Sequence, residues 1–565
     1  MFGSALRQVA GNGALLRLEA SWLTAFVAEG AYLVSLLVFA YQIGGVVAVG
    51  LITMLRSLPS GVLAPVLISL VDRFPPARVL LGVHLARAAL ISVVAAVAVT
   101  DGPVAVAILA AVAEGLLIGV HRATTLSFMP GLARSPEELV AGNAVVSLGE
   151  GTGNLVGPVV AGLLLAFGGP SAGLLLAAFA YLAAAAIVLS IRAPATRRTP
   201  GAVHTDVASR VRAALGGFAA LRRYPAAGLL IGLFGSQTLV RGCATVLIVA
   251  VAVELLGIGE SGVGYLTSAL GAGGLLGAAL AMTVIAGRRL ATPFAISLAM
   301  WGLPILVIGL LPHTIAAFVL IGLVGAANAS LDISGFTLLQ RSVPNDVRGR
   351  VFGALESVAA IGLAAGALVV PAILAAIGLE ATLIVVGAVL PLLALVTYPI
   401  LRRVDDAAIV PQRELALLRG VPMFAPLPLT MIEHLARDLE PVQYATDERV
   451  ITQGEAGNCF YVIARGTVEI VHDGELVKVL GPGDGFGEIA LLSERPRTAT
   501  VVVRDGMEGY RLLRPAFLEA VTGHPHAAVA GHELMSTRLA ELEHLEDGRH
   551  AHSDGPAAGE GGAVH

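Results

Sequence analysis

Apolar segments that approach or exceed the roughly 20 residues needed to cross a bilayer recur along the first 400 residues of this chain, and they constrain its fold more than any other feature. They lie at about residues 14–42, 43–71, 77–99, 103–126, 141–167 and 170–192, and again at about 226–255, 260–286, 290–311, 314–339, 348–376 and 379–401. Across 565 residues, 56% are hydrophobic and 13% charged, far from the soluble average. Repetition on this scale excludes a signal peptide as the source of the hydrophobicity. The expected fold is an all-α polytopic bundle of 12 transmembrane helices in two six-helix halves, residues 1–192 and 226–403, around a basic middle loop at 193–225.

Loop charge alternates. Arg78, Arg122, Arg134, the Arg-rich middle loop, Arg341, Arg348, Arg350, Arg402 and Arg403 fall on one side, whereas Asp101, Glu254, Glu260, His313 and Glu380 fall on the other. By the positive-inside rule the Arg-bearing side is cytoplasmic, which places both termini in the cytoplasm of a multi-pass protein of the cell inner membrane. The lipid bilayer is thus an expected partner.

After residue 403 the pattern changes. Residues 404–420 read as a charged, partly amphipathic linker helix. From 421 to 547 the runs ERVITQG, CFYVIARGTVEIV, GELVKVLGPGD and RTATVVVRD are short, alternating and punctuated by glycine, as in a compact β-roll, and helical patterns follow Leu513. Residues 548–565 read as a disordered polar tail.

The segment FGEIALLSERPRTATV, residues 486–501, carries ligand chemistry. A short helix starting near Gly487 offers free backbone N–H groups to a phosphate. Arg497 supplies a planar cationic fork for the same group, and the Glu488 carboxylate accepts from a ribose hydroxyl. Phe486, Gly487, Glu488, Ile489, Ala490, Arg497, Thr498 and Ala499 form the candidate site. With Gly454, Gly457, Gly466 and Gly483, the stretch resembles the cyclic nucleotide-binding fold of bacterial cyclic-AMP receptor proteins, kinase regulatory subunits and gated channels. The resemblance implies a cyclic nucleotide as regulatory ligand, cyclic AMP rather than cyclic GMP, although a hydroxyl residue such as Thr498 can favour guanine in that family. It also implies a base contact from the last helix, where Thr537, Arg538 and Glu541 are candidates.

Three motifs resemble the major facilitator superfamily over residues 1 to about 403. VDRFPPARVLL resembles its signature loop, with Asp72, Arg73 and Arg78 as a cytoplasmic gate and Pro75 where glycine is usual; GEGTGNLVGPVVAGLL (149–164) resembles the Gly-Pro motif of its exporters; VPNDVRGRVFG (343–353) resembles a loop of the drug and siderophore exporter branch. Charges within or near the apolar segments are Glu29, Arg56, Arg87, Glu114, Glu150, Arg241, Asp332 and Glu356. Each is costly in lipid and is expected to face a partner or a cavity. Glu29, Arg87, Glu114 and Arg241 are singled out as transport-cavity or coupling candidates, since the resemblance places Glu29 and Arg241 on cavity-lining helices.

These readings converge on an ion-gradient-driven transporter, an exporter of a small amphipathic solute, regulated by cyclic nucleotide at its C-terminal domain. A solute sensor with a transporter fold, or a transporter whose nucleotide domain serves only as a scaffold or oligomerisation module, fits the same residues. No P-loop, nucleophile elbow or metal-ligand spacing is present, so neither enzymatic chemistry nor a metal is expected. The tail is not basic and no helix-turn-helix follows, so no nucleic-acid polymer is expected as a partner.

Overall fold

The computed structural model describes residues 9–71, 74–191, 221–284, 289–343, 345–408, 412–493 and 495–553. The chain divides into two compact units, residues 1–408 and 409–565.

The first unit is built from long apolar helices: α1 (Gly13–Val71), α2 (Pro76–Thr100), α3 (Val104–Leu132), α4 (Pro136–Leu189), α5 (Pro225–Ala250), α6 (Gly259–Val284), α7 (Ala291–Leu310), α8 (Thr314–Arg341), α9 (Asn345–Ile377) and α10 (Leu379–Ala408). Among the described residues these ten are long and apolar enough to cross a membrane. Two of them are interrupted. In α1 the helix breaks at Gly44 and Gly45, where Gly45 takes φ 58 and ψ −153, and in α4 at Gly169 with φ 64 and ψ −169. That backbone region is essentially open only to glycine. Pro170 then restarts α4, because proline fits the first position of a helix. The breaks fall where sequence periodicity separates the expected segments.

Helices α1 to α4 pack mainly on one another, as do α5 to α10, and α4 meets α6 while α1 meets α9. The Gly-Pro motif makes these approaches close. A Cβ on Gly157 would lie 3.0 Å from the Cα of Gly30, and one on Gly162 would lie 2.9 Å from the carbonyl of Ser261. Most of the middle loop, and Asp72 and Arg73 of the signature loop, lie outside the described residues.

The second unit begins with α11 (Gln412–Gly420) and α12 (Leu429–Asp438). An antiparallel sheet follows: β1 (Glu440–Tyr444), β2 (Arg449–Ile451), β3 (Cys459–His472), β4 (Glu475–Leu480), β5 (Gly485–Phe486) and β6 (Thr500–Leu513), with α13 (Glu488–Leu492) between the last two. Strand order is β1-β6-β3-β4, with β2 on β6 and β5 on β3. Helices α14 (Arg514–Thr522) and α15 (Pro525–Ser553) close the chain. Phe424, Phe460 and Phe517 meet in the helical layer of its core, with centroids 5.1–6.0 Å apart. On the other face of β3, Tyr461 stacks on Phe486 at 5.1 Å.

The segment 404–420 is divided between the two units rather than standing apart as one linker helix. Asp405 is buried in the first unit and accepts from the backbone N–H groups of Leu290 and Ala291 at 2.7 and 2.8 Å, capping the start of α7. In the second unit Leu418 is buried, and Glu414 accepts from the Tyr510 hydroxyl at 2.7 Å. Helix α15 also continues past residue 547 to Ser553, into the segment read as tail, whereas residues 554–565 lie outside the described ones.

Candidate ligand pocket and buried charge cluster

Strand β5 ends at Phe486, and Gly487, at φ 95, turns the chain into α13 with Glu488 as its first residue. A side chain at 487 would be strained and would also place its Cβ 2.7 Å from Arg497 Nη1. Glu488 is therefore carried inward and is only 1% exposed. Arg497 is held from both sides of its own backbone: its N–H donates to the Glu455 carbonyl at 2.8 Å, and its carbonyl accepts from Gly454 at 2.9 Å. The residue as a whole is 6% exposed, and its guanidinium donates to the carbonyls of Gly487 at 2.7 Å and Cys459 at 2.8 Å. Gly457 leaves room for it, since a Cβ there would lie 3.2 Å from Arg497 Cζ.

All eight sequence-predicted residues, Phe486 through Ala490 and Arg497 through Ala499, line one pocket. Ile451, Ile470, Leu480 and Val501 supply an apolar wall. Helix α15 closes the open side: Arg538 donates to Glu488 Oε1 at 2.8 Å and to the Gly485 carbonyl at 2.9 Å, and Glu541 pairs with Lys478 at 3.1 Å. Thr537 instead turns its hydroxyl back to the Glu533 carbonyl of its own helix. Arg538, considered for a base contact, thus binds the acid of the cassette.

The electrostatics are unbalanced in a useful way. Glu488 Oε2 is buried without a partner among the described residues. Burial lowers the pKa of Arg497 from the usual guanidinium value, and nearby Tyr461, Cys459 and Glu488 oppose that shift. A buried acceptor and a desolvated cation in one pocket suit a ligand with a hydroxyl at one point and an anion at another.

In the first unit, three of the four transport candidates come together. Arg56 donates to Glu29 at 2.6 Å and to Glu114 at 3.0 Å, while Arg87 donates to Glu114 at 2.8 Å and also pairs with Glu29. Tyr181 donates to Glu29 at 3.1 Å, and Arg87 lies over its ring at 4.4 Å. Two acids and two guanidiniums close on themselves. Arg56 was not among the singled-out residues, because its partners depend on the break at Gly44 and Gly45 folding the second part of α1 beside α3.

Arg241 is not part of this cluster. It is exposed on α5 and acts electrostatically on Asp332, whose Oδ2 accepts from Asn328 at 3.0 Å. Gln237 and Trp301 both donate to Asn328 Oδ1. Glu150 pairs with Arg122 at 3.2 Å, and Arg78 is exposed in the first turn of α2.

Comparison with known proteins agrees with both units. The Major Facilitator Superfamily model matches residues 20–293 and 238–439, and the cyclic nucleotide-binding domain model matches residues 441–524. The cAMP-dependent protein kinase regulatory subunit of Yarrowia lipolytica is 37% identical over 90 residues, 16% of this chain and 24% of that protein's length. The solved regulatory domain of Toxoplasma gondii PKA with cAMP is 31% identical, covering 19% of this chain and 42% of that one at a TM-score of 0.18. For the Catabolite Activator Protein of Thermus thermophilus the identity is 28%, over 22% of this chain and 62% of that one, at a TM-score of 0.20.

Proposed function

Because the chain belongs to the Major Facilitator Superfamily and continues into a cyclic nucleotide-binding domain, we propose that it is an ion-gradient-driven secondary transporter regulated by a cyclic nucleotide. The ligand is cyclic AMP, and the cargo is a small amphipathic solute moved outward. The observation that carries the regulatory reading is that Arg497 and Glu488 line one pocket: a buried cationic fork and a buried carboxylate whose Oε2 has no partner among the described residues. Arg497 takes the cyclic phosphate, Glu488 the ribose 2'-hydroxyl, and the wall of Ile451, Ile470, Leu480 and Val501 the purine.

The transport reading has twelve crossings. Helices α1 and α4, of 59 and 54 residues, would extend about 80 to 90 Å if straight, far beyond the roughly 30 Å hydrocarbon core. Each turns back at its glycine break and crosses twice, giving two halves of six. The Arg-bearing loops and the C-terminal domain are cytoplasmic, in the cell inner membrane. Asp72, Arg73 and Arg78 form the cytoplasmic gate, and Arg241 faces the cargo path.

Regulation requires the nucleotide to favour one transporter conformation, and a tenfold shift takes about 1.4 kcal/mol of differential binding. Helix α10, anchored through Asp405, is the element that ends where the regulatory unit begins. The test is flux of a panel of amphipathic solutes through proteoliposomes with and without cyclic AMP, for wild type and Arg497→Ala. Wild-type flux should respond to nucleotide and the variant should not. Tight binding with no change in flux or solute affinity would sink regulation while leaving the binding site intact.

A further inference from the structure

Strands β3 and β4 are joined by two residues, Asp473 at φ 48 and Gly474 at φ 88. Positive φ at both central positions makes the tight hairpin turn that an Asp-Gly pair favours. The turn leaves His472, the last residue of β3, and Asp473 at the hairpin tip, and neither is among the pocket-lining residues.

Both nevertheless reach the stretch that carries Arg497. His472 Nδ1 lies 2.7 Å from the Thr498 carbonyl oxygen. A carbonyl only accepts, so Nδ1 carries the proton and donates. Nε2 of the same ring is 3.7 Å from Asp473 Oδ2, and Asp473 Oδ1 accepts from Gln453 Nε2 at 2.8 Å. The Asp473 N–H donates back to Gln453 Oε1 at 3.1 Å, and the Gln453 N–H donates to Thr500 Oγ1 at 3.1 Å.

These contacts form a ring from Thr498 through His472, Asp473 and Gln453 to Thr500. Pairing of Val471 with Thr500 across β3 and β6 sets the register that brings its two ends together. Gln453 is followed by Gly454 and Glu455, whose backbone groups bond the carbonyl and the N–H of Arg497. The hairpin tip thus fastens both the loop that grips the Arg497 backbone and the residue after it. At the far end of the side chain, the guanidinium is tied to the carbonyls of Gly487 and Cys459. With both ends fixed, the fork is aimed before a ligand arrives, which spares the cost of ordering it on binding.

We propose that His472, Asp473 and Gln453 form a positioning clasp that aims Arg497 at one exocyclic oxygen of a cyclic phosphate, so that a hairpin tip outside the pocket sets how selectively the phosphate is read. The proposal rests on the nucleotide reading above. The two exocyclic oxygens point in different directions, and a fixed guanidinium meets them unequally. Sulfur accepts a hydrogen bond more weakly than oxygen, so the two diastereomeric phosphorothioates of cyclic AMP, with sulfur at one position or the other, report that aim directly. Glu488 is held independently, by Arg538. Ribose recognition therefore does not pass through the clasp.

Calorimetry on the detergent-solubilised full chain with cyclic AMP, its two phosphorothioates and its 2'-deoxy analogue tests this. Wild type should separate the diastereomers by about tenfold or more, as the loss of a hydrogen bond to a charged group predicts. His472→Leu should weaken cyclic AMP by about tenfold and narrow the diastereomer ratio to about threefold or less, while the ratio of cyclic AMP to its 2'-deoxy analogue stays at the wild-type value. His472→Asn, whose amide nitrogen stands where the ring carries Nδ1, should recover most of the diastereomer ratio. An unchanged diastereomer ratio in His472→Leu would overturn the clasp. So would a parallel fall in both ratios, which would make His472 a general support of the pocket and not a guide for Arg497. Size-exclusion chromatography identifies a variant that has failed to fold, and Gln453→Leu then replaces it with the same expected pattern. Wild type that binds none of the four nucleotides would overturn the nucleotide reading itself, an outcome distinct from wild-type binding that the variants leave unaltered.

Discussion

Arg538 of the last helix donates to Glu488 Oε1 at 2.8 Å and leaves Oε2 of the same carboxylate buried and without a partner among the described residues. One oxygen holds the closing helix, and in the proposed site the other takes the ligand's ribose hydroxyl. Discrimination of the ribose follows. Wild type should bind cyclic AMP more tightly than its 2'-deoxy analogue by about tenfold or more, since a hydrogen bond to a charged group contributes about 1.5–3 kcal/mol. Glu488→Gln should narrow the gap. Calorimetry with both nucleotides reads it, and an undiminished preference in the variant would remove Glu488 from the ribose site.

Removing the cation should cost more. Arg497→Ala leaves a partly buried phosphate unpaired, a change of about 2–5 kcal/mol, or roughly 30-fold to several thousand-fold in affinity. Calorimetry on the detergent-solubilised chain should find no micromolar binding; retained affinity would mean that the phosphate sits elsewhere.

Gly487→Ala combines two penalties. The left-handed backbone costs an alanine about 1–2 kcal/mol, and the new methyl would sit 2.7 Å from Arg497 Nη1. The variant should unfold at lower urea and bind nucleotide more weakly. Wild-type behaviour in both measurements would contradict the geometry of the turn.

The charge cluster of the first unit should behave as a closed set. Glu114→Gln removes the more deeply buried of the two acids that Arg56 and Arg87 share and should destabilise the helical unit by about 3–5 kcal/mol, because a buried cation is left undercompensated. Adding Arg87→Met, which removes the excess charge, should recover part of that loss. Thermal unfolding in detergent followed by size exclusion reads both. No loss in the single variant would mean that the arginines have other partners.

Alkaline unfolding of the C-terminal unit should carry a tyrosine signature. Burial, reinforced by Tyr444 and the Cys459 thiol, pushes the Tyr461 phenol up to about 12. Its neutral form is therefore preferred more in the folded than in the unfolded state. The contribution is fully present below pH about 10, the unfolded value, and is lost as pH rises from there to about 12. Urea midpoints across this window should fall less steeply for Tyr461→Phe, with tyrosinate absorbance at 295 nm as the direct monitor.

The pocket was legible in the sequence to an unusual degree because its eight residues are close in the chain and their spacing encodes a turn, a short helix and a return strand. Four strands were equally plain from alternation. Strand β1 (Glu440–Tyr444) was not, since EPVQY carries a proline and only partial alternation, and it becomes a strand by pairing with the second half of β6. The helix α12 was hidden by its prolines upstream and by its mixed polarity.

The sequence by itself determined the run of apolar segments, including the divisions near which two long helices break, and the chemistry of the residues 486–499. Those are local properties, written in hydrophobic period and in side-chain type. Tertiary structure alone decided that Arg56 joins Glu29, Glu114 and Arg87, that Arg241 stands apart from them, and that Arg538 reaches Glu488. Each of these joins residues tens of positions apart, and at 2.6–3.0 Å a hydrogen bond between charges depends on how helices are rotated and where the chain turns back, which no single stretch of sequence specifies.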